Sequence, residues 1–324
     1  MTDDIHEQLT KYLTDAHGIE VQALAQLRTA PDIAGDPKLA QAFRDHEAET
    51  EGHEQTVSRL LEERGAKPSK AKDSVMGAGG KGFLLFARLQ PDTPGKLLAH
   101  SISYEALELA AYELLLRVAE RAGEDEVADA LRPIRDQERA MMKRLLDGAD
   151  RAVEASLREV ERDDLGEQIR KYLADAHALE EQAIELLERS PKLAGDEALA
   201  STYEDHLVET RDHAELVAAR LEALGGDPSS LKDAALRLGA LNWGGFFQAH
   251  PDTPGKLAAF AYAFEHLEIG GYEQLRRVAE HAGDSETSAL ALRILEQEHA
   301  AAERIATHFD AAAQAALRSQ NVRA

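Results

Sequence analysis

Pro91-Asp92-Thr93-Pro94-Gly95-Lys96 returns unchanged as Pro251-Asp252-Thr253-Pro254-Gly255-Lys256, 160 residues later. The same offset carries Lys11-Tyr12-Leu13 onto Lys171-Tyr172-Leu173 and Asp15-Ala16-His17 onto Asp175-Ala176-His177. It carries His46, Glu49 and His53 onto His206, Glu209 and His213, and Val118-Ala119-Glu120 onto Val278-Ala279-Glu280. An offset that never drifts means one unit written twice, with no net insertion between the copies. The boundary falls near Asp163, giving units of residues 1–160 and 161–324. The segment before it, residues 151–162, is charged and free of Gly and Pro, so it reads as helix rather than flexible linker.

Apolar residues at helical spacing, punctuated by Pro and Gly, predict four long helices per copy. In the first copy they cover roughly residues 4–29, 37–64, 94–122 and 124–149, separated by Pro31 and Gly35, Gly65 and Pro68, and Gly123. At ~1.5 Å per residue each helix is roughly 40 Å long, which suits a long four-helix bundle. Pro133 should bend the fourth helix or mark its start. The first and last connections are short. The middle one spans about 30 residues and contains an apolar piece at 82–89, so it is expected to run along the bundle and pack on it. A single long crossover in the middle of four helices is the ferritin-like arrangement. The expected fold is therefore all-α: two tandem ferritin-like four-helix bundles, each with a long crossover between helices two and three.

Composition agrees. The 324 residues are rich in Ala, Leu, Glu and Arg, with 5% aromatics and 10 prolines. With no cysteine, disulfide scaffolds, thiolate zinc sites and iron–sulfur clusters are excluded. A net charge of −23, from 37 basic and 60 acidic residues, argues against a nucleic-acid surface but not against metal cations. The longest apolar stretches, such as 258–264, fall far short of the ~20 residues of a membrane span. The acidic start shows no secretory h-region, so the chain reads as cytoplasmic.

The chemistry lies in acids that stand in phase with the apolar stripes. Helix one reads Leu9, Leu13, Ala16, Glu20, Leu24, and its repeat Ile169, Leu173, Ala176, Glu180, Ile184. Helix two reads Phe43, His46, Glu49, His53, Val57, and its repeat Tyr203, His206, Glu209, His213, Val217. Helix three carries Glu105, Glu108 and Tyr112, repeated as Glu265, Glu268 and Tyr272; helix four carries Glu138, repeated as Glu298. Every helix thus turns a carboxylate toward the core at mid-length. Several uncompensated carboxylates in one core repel each other at a cost of several kcal/mol each, and few core-facing Lys or Arg oppose them. A pair of metal ions would neutralise them. Oxygen ligands with one or two imidazoles suit iron or manganese.

The candidate ligands are Glu20, Glu49, His53, Glu105, Glu108 and Glu138 in the first copy. In the second they are Glu180, Glu209, Glu265, Glu268 and Glu298, with His213 and His299. Glu108 and Glu268 are read either as ligands or as partners of a ligand. His46 and His206 are read as standing behind the ligands, and Tyr112 and Tyr272 as core tyrosines or redox-active ones. The copies differ at helix four, where Glu296-Gln297-Glu298-His299 faces Asp136-Gln137-Glu138-Arg139. Arg139 is expected to bring positive charge toward the first site and weaken it.

Asp175-Ala176-His177-Ala178-Leu179-Glu180-Glu181-Gln182, His206-Leu207-Val208-Glu209-Thr210, Glu265-His266-Leu267-Glu268-Ile269-Gly270-Gly271-Tyr272 and Glu296-Gln297-Glu298 resemble the bacterial YciE/YciF-type ferritin-like family of stress-associated proteins. The first copy keeps Glu20, His46, Glu49, Glu105, Glu108, Tyr112 and Glu138. The Gly-rich crossover departs from the family pattern. The resemblance implies a ferritin-like fold, a di-metal site and a link to stress, without a settled reaction. Family members are single bundles that pair, so this chain resembles a fused, intramolecular pseudo-dimer, open to further homo-oligomerisation. The expected activity is Fe(II) oxidation by oxygen or peroxide at a di-iron (or Fe/Mn) carboxylate site. The rival expectation is a non-catalytic, stress-related bundle acting as a binding or scaffold protein.

Overall fold

The computed structural model describes residues 5–66, 93–226 and 252–322. Those residues form twelve α-helices and no strand. By contacts they divide into two compact units, residues 5–156 with 317–322, and residues 157–316. The crossovers, residues 67–92 and 227–251, lie outside the described residues, and the packing expected of the apolar piece at 82–89 falls there.

The first unit runs α1 (Ile5–Leu27), α2 (Ala30–Ile33), α3 (Pro37–Glu63), α4 (Thr93–Arg121), α5 (Asp125–Asp147) and α6 (Ala149–Leu157). The second repeats the order as α7 (Leu165–Leu187), α8 (Ser190–Leu193), α9 (Glu197–Ala223), α10 (Thr253–Ala282), α11 (Ser285–Thr307) and α12 (Phe309–Ser319). All four expected long helices are present in each copy. The first connection holds a helical turn of its own, α2 or α8. It ends at Gly35 or Gly195, each left-handed, and a Cβ on Gly35 would stand 2.7 Å from Pro94 Cγ. That close approach fixes the start of α4 against the start of α3. Asp36 then caps α3, accepting from the backbone N–H groups of Lys38 and Leu39 at 2.8 and 3.1 Å.

Helix four stops at Asp147 instead of residue 149, and the chain resumes as α6. The break is at Gly148, where a Cβ would stand 2.6 Å from Leu39 Cδ2. Pro133 lies inside α5 on its exposed side and does not start it. The segment at 151–162 is helical as far as Leu157, and a short 3₁₀ turn follows at Arg162–Asp164.

Two apolar clusters fill the first bundle. One gathers Leu13, Ala16, Val57, Tyr112 and Ile134; the other gathers Ala23, Phe43, Ile102 and Met141. Helices α1 and α5 pass from the first cluster to the second, whereas α3 and α4 both pass from the second to the first. Helices α3 and α4 therefore run in the same sense, which an up-down-up-down bundle does not allow. Between the clusters every helix leaves an interval, and the polar residues occupy it: Glu20, His46 to His53, Glu105 to Glu108, and Glu138. No helix among the described residues is long and apolar enough to cross a membrane.

Candidate metal centre

Glu20, His46, His53, Glu105, Glu108 and Glu138 are all buried at mid-length of the first bundle. Helical spacing sets the geometry: His46 and His53 lie two turns apart on α3, and Glu105 and Glu108 one turn apart on α4. His46, Glu105, Glu108 and Glu138 each bring one ligand atom within 4.8 Å of the others, and so do Glu20, His53 and Glu138. Glu138 belongs to both groups. Its Oε1 lies 2.8 Å from His53 Nδ1 and its Oε2 3.2 Å from His46 Nε2. His46 Nε2 is also 3.0 Å from Glu105 Oε2, and His53 Nδ1 is 3.7 Å from Glu20 Oε2.

The outer nitrogen of each imidazole is committed. His46 Nδ1–H donates to Glu49 Oε2 at 2.9 Å, and His53 Nε2–H donates to Gln137 Oε1 at 2.8 Å. Such an outer acceptor fixes the neutral tautomer so that the lone pair points inward. Tyr112 O–H donates to Glu20 Oε1, leaving Oε2 for the interior.

The second bundle repeats the arrangement. His206, Glu265 and Glu298 form one group, and Glu180, His213 and Glu298 the other, with Glu298 shared. His213 Nδ1 lies 2.8 Å from Glu298 Oε1, and His206 Nε2 lies 2.8 Å from Glu265 Oε2. Glu209, Gln297 and Tyr272 take the parts of Glu49, Gln137 and Tyr112.

A cation fits these residues. The inward atoms His46 Nε2, His53 Nδ1, Glu20 Oε2, Glu105 Oε2, Glu108 Oε1 and both oxygens of Glu138 are buried, and none has an aligned hydrogen bond despite the short separations. Ligands about 2.1 Å from a shared ion and at right angles to each other stand roughly 3.0 Å apart without aligning on one another. The close but misaligned pairs have that spacing.

Without an ion, protons balance the charge. Burial raises Glu105 to about 7 against the pull of His46, and it raises Glu20 and, well above the usual range, Glu108. Burial also works to raise Glu138, but the two histidines facing it bring it down to about 2. The histidines are buried too, yet the surrounding acids outweigh that and hold His53 at about 10 and His46 well above its usual value. In the second bundle Glu180 and Glu265 rise to about 7 by burial, and His213 is held at about 10 by Glu180 and Glu298 against its burial. A cation entering either cluster would have to displace those protons.

The structure thus brings together Glu20, His53, Glu105, Glu108 and Glu138, and Glu180, His213, Glu265 and Glu298. It does not bring in Glu49 and Glu209, which are each 29% exposed and hydrogen-bond the backs of His46 and His206. Glu268 is fully buried, with both oxygens lacking a hydrogen-bond partner, yet it stands outside the two groups of its bundle. His299 is exposed. The residues that sequence reasoning set behind the ligands, His46 and His206, point their Nε2 into the cluster. The signal for them was present: a Glu three residues on, able to hold the outer nitrogen. Arg139 does not approach the first centre; it is 48% exposed and pairs with Asp136 and Glu113, each at 2.9 Å. The expected weakness of that site loses its cause.

No solved structure matches the chain. One family, described as Domain of unknown function (DUF892) and known as part of the ferritin-like superfamily, matches residues 4–158 and again residues 165–318. Two copies of one ferritin-like bundle, each with a buried His/Glu cluster able to hold a metal ion, make this chain a tandem member of the DUF892 family.

Proposed function

We propose that each bundle holds a pair of iron ions, or iron and manganese, and that the protein oxidises Fe(II) with oxygen or peroxide as a protection against stress. The observation that carries this reading is Glu138, and likewise Glu298, shared between two ligand groups. One carboxylate serving two groups provides for two cations side by side. Hard oxygen donors with two imidazoles, and no thiolate in the chain, favour iron or manganese over copper or a thiolate-type zinc site. A bound iron pair supplies the electrons that oxygen or peroxide removes from Fe(II).

The chain's own residues do the rest. Glu20, Glu105 and Glu108 give up their protons to receive positive charge. Glu49 and Gln137 hold the imidazoles in the tautomer that presents a lone pair. Tyr112 orients Glu20. The flanking apolar clusters keep bulk water out, so that the carboxylates act in a low-dielectric interior.

The test is anaerobic loading with Fe(II), desalting, and counting metal per chain by mass spectrometry, followed by mixing with oxygen or peroxide. About four irons per chain, oxidised faster than free Fe(II), is the expected result, and about two would mean that one bundle works. A chain that retains no iron or manganese would overturn the reading and leave a hydrogen-bonded bundle with a binding or scaffold role.

A further inference from the structure

Resting on the metal reading above, an ion must pass the outer surface of each cluster, and there the two copies carry different residues. In the first bundle a cleft of about 520 Å³ lies between α3 and α5. His53, Gln137 and Glu49 line it beside the small residues Gly52, Thr56 and Ala130. A Cβ on Gly52 would meet nothing within 4 Å, so open space lies directly over that turn of α3. The cleft therefore ends on a residue of the candidate centre.

The equivalent positions of the second bundle carry larger side chains at three places, while Ala219 stands where Arg59 lines the first cleft. Asp212, Leu216 and Leu290 stand where Gly52, Thr56 and Ala130 stand, and both leucines are half-buried. The carboxylates behind the histidines differ as well. Glu209 Oε2 takes the His206 Nδ1–H at 3.0 Å and an Arg304 Nη2–H at 2.5 Å. Glu49 Oε2 takes only the His46 Nδ1–H, and Arg144 stays 4.0 Å from its Oε1. Both acids are thus ion-paired to an arginine, and Glu49 is held the more loosely of the two.

We infer that the cleft beside His53 is the entrance by which a hydrated divalent cation reaches the first centre, and that the second bundle's larger side chains close the corresponding entrance. Six waters of roughly 30 Å³ each around a cation fit such a volume. Glu49 receives the ion at the mouth, and His53, whose Nε2–H is tied to Gln137, stands at the floor between the cleft and the inward-facing ligand atoms. The two centres of one chain then load at different rates from similar ligand sets.

The experiment follows Co(II) uptake by its visible absorption, in stopped flow, in two proteins that each keep one centre. Glu298→Gln leaves the first centre and Glu138→Gln the second. The first is expected to load about tenfold faster, a barrier difference within reach of two added leucines. Adding Thr56→Leu and Ala130→Leu to the Glu298→Gln protein should erase that advantage with the final Co(II) content unchanged. Should that variant fold poorly, Leu216→Thr with Leu290→Ala in the Glu138→Gln protein is the reciprocal test, expected to speed the second centre. Equal rates in the two starting proteins, or rates indifferent to these exchanges, would overturn the cleft while leaving the metal reading intact. Absence of Co(II) uptake in the unaltered protein would overturn the metal reading, and the entrance with it.

Discussion

Glu138 Oε1 lies 2.8 Å from His53 Nδ1, and the two atoms are not aligned to share a proton. The same carboxylate turns its other oxygen to His46 Nε2 at 3.2 Å. Among the described residues, Glu138 is thus the one in the first bundle on which both ligand groups depend. Glu138→Gln keeps the volume but removes the charge. It should cost the chain about two metal ions, whereas Glu20→Gln, which touches one group, should cost about one. Metal per chain after desalting measures both. Equal losses from the two variants would contradict a shared carboxylate.

Tyr112 and Tyr272 each donate a buried hydroxyl to the acid of the first helix in their bundle. In Tyr112→Phe, Glu20 Oε1 keeps its burial and loses its donor. The expected cost is about 1–3 kcal/mol, since the bond goes to a carboxyl and the acceptor is left unsatisfied. Urea unfolding of the metal-free protein checks this. The metal content should hold, because Oε1 is the outward oxygen.

Arg139→His should leave metal loading unchanged. The guanidinium is 48% exposed and tied to Asp136 and Glu113, so its charge is screened and directed away from the centre. A change in metal affinity of more than about threefold would show a longer electrostatic reach than the structure allows.

The bundle was legible in the sequence because its signals are local and repeated. Glu20, Glu105 and Glu138 break three apolar stripes at the same level, and the repeat shows each break twice. On α3 the pattern was ambiguous. His46, Glu49 and His53 all stand on the stripe, and spacing alone does not say which faces inward at its centre. Helix rotation decides it, by turning Glu49 to the rim and leaving both histidines buried. His299 and Arg139 misled for a related reason: each directly follows the inward Glu in sequence, but one residue along a helix is a turn of about 100° toward solvent. The break at Gly148 was hidden because the side chain that leaves room there only for glycine, Leu39, lies more than a hundred residues away.

The metal-free protein should lose stability as pH rises. Glu105 and Glu265 stand at about 7 against an ordinary 4.5, so their contribution is complete below 4.5 and lost as pH rises through 7. His53 and His213 stand at about 10 against 6.5, so theirs is complete below 6.5 and lost toward 10. Glu138, held at about 2, acts in the opposite sense: its contribution is present above 4.5 and lost as pH falls toward 2. The metal-free optimum therefore lies near pH 4.5, with a steady decline above it, first from the acids up to about 7 and then from the histidines. Metal takes the place of those protons, so loading should release them into weakly buffered solution, and the loaded protein should escape the decline. Melting curves of loaded and metal-free protein should diverge between about pH 6 and 9. If the gap in Tm stays constant across that range, the buried acids and histidines are not where the metal goes.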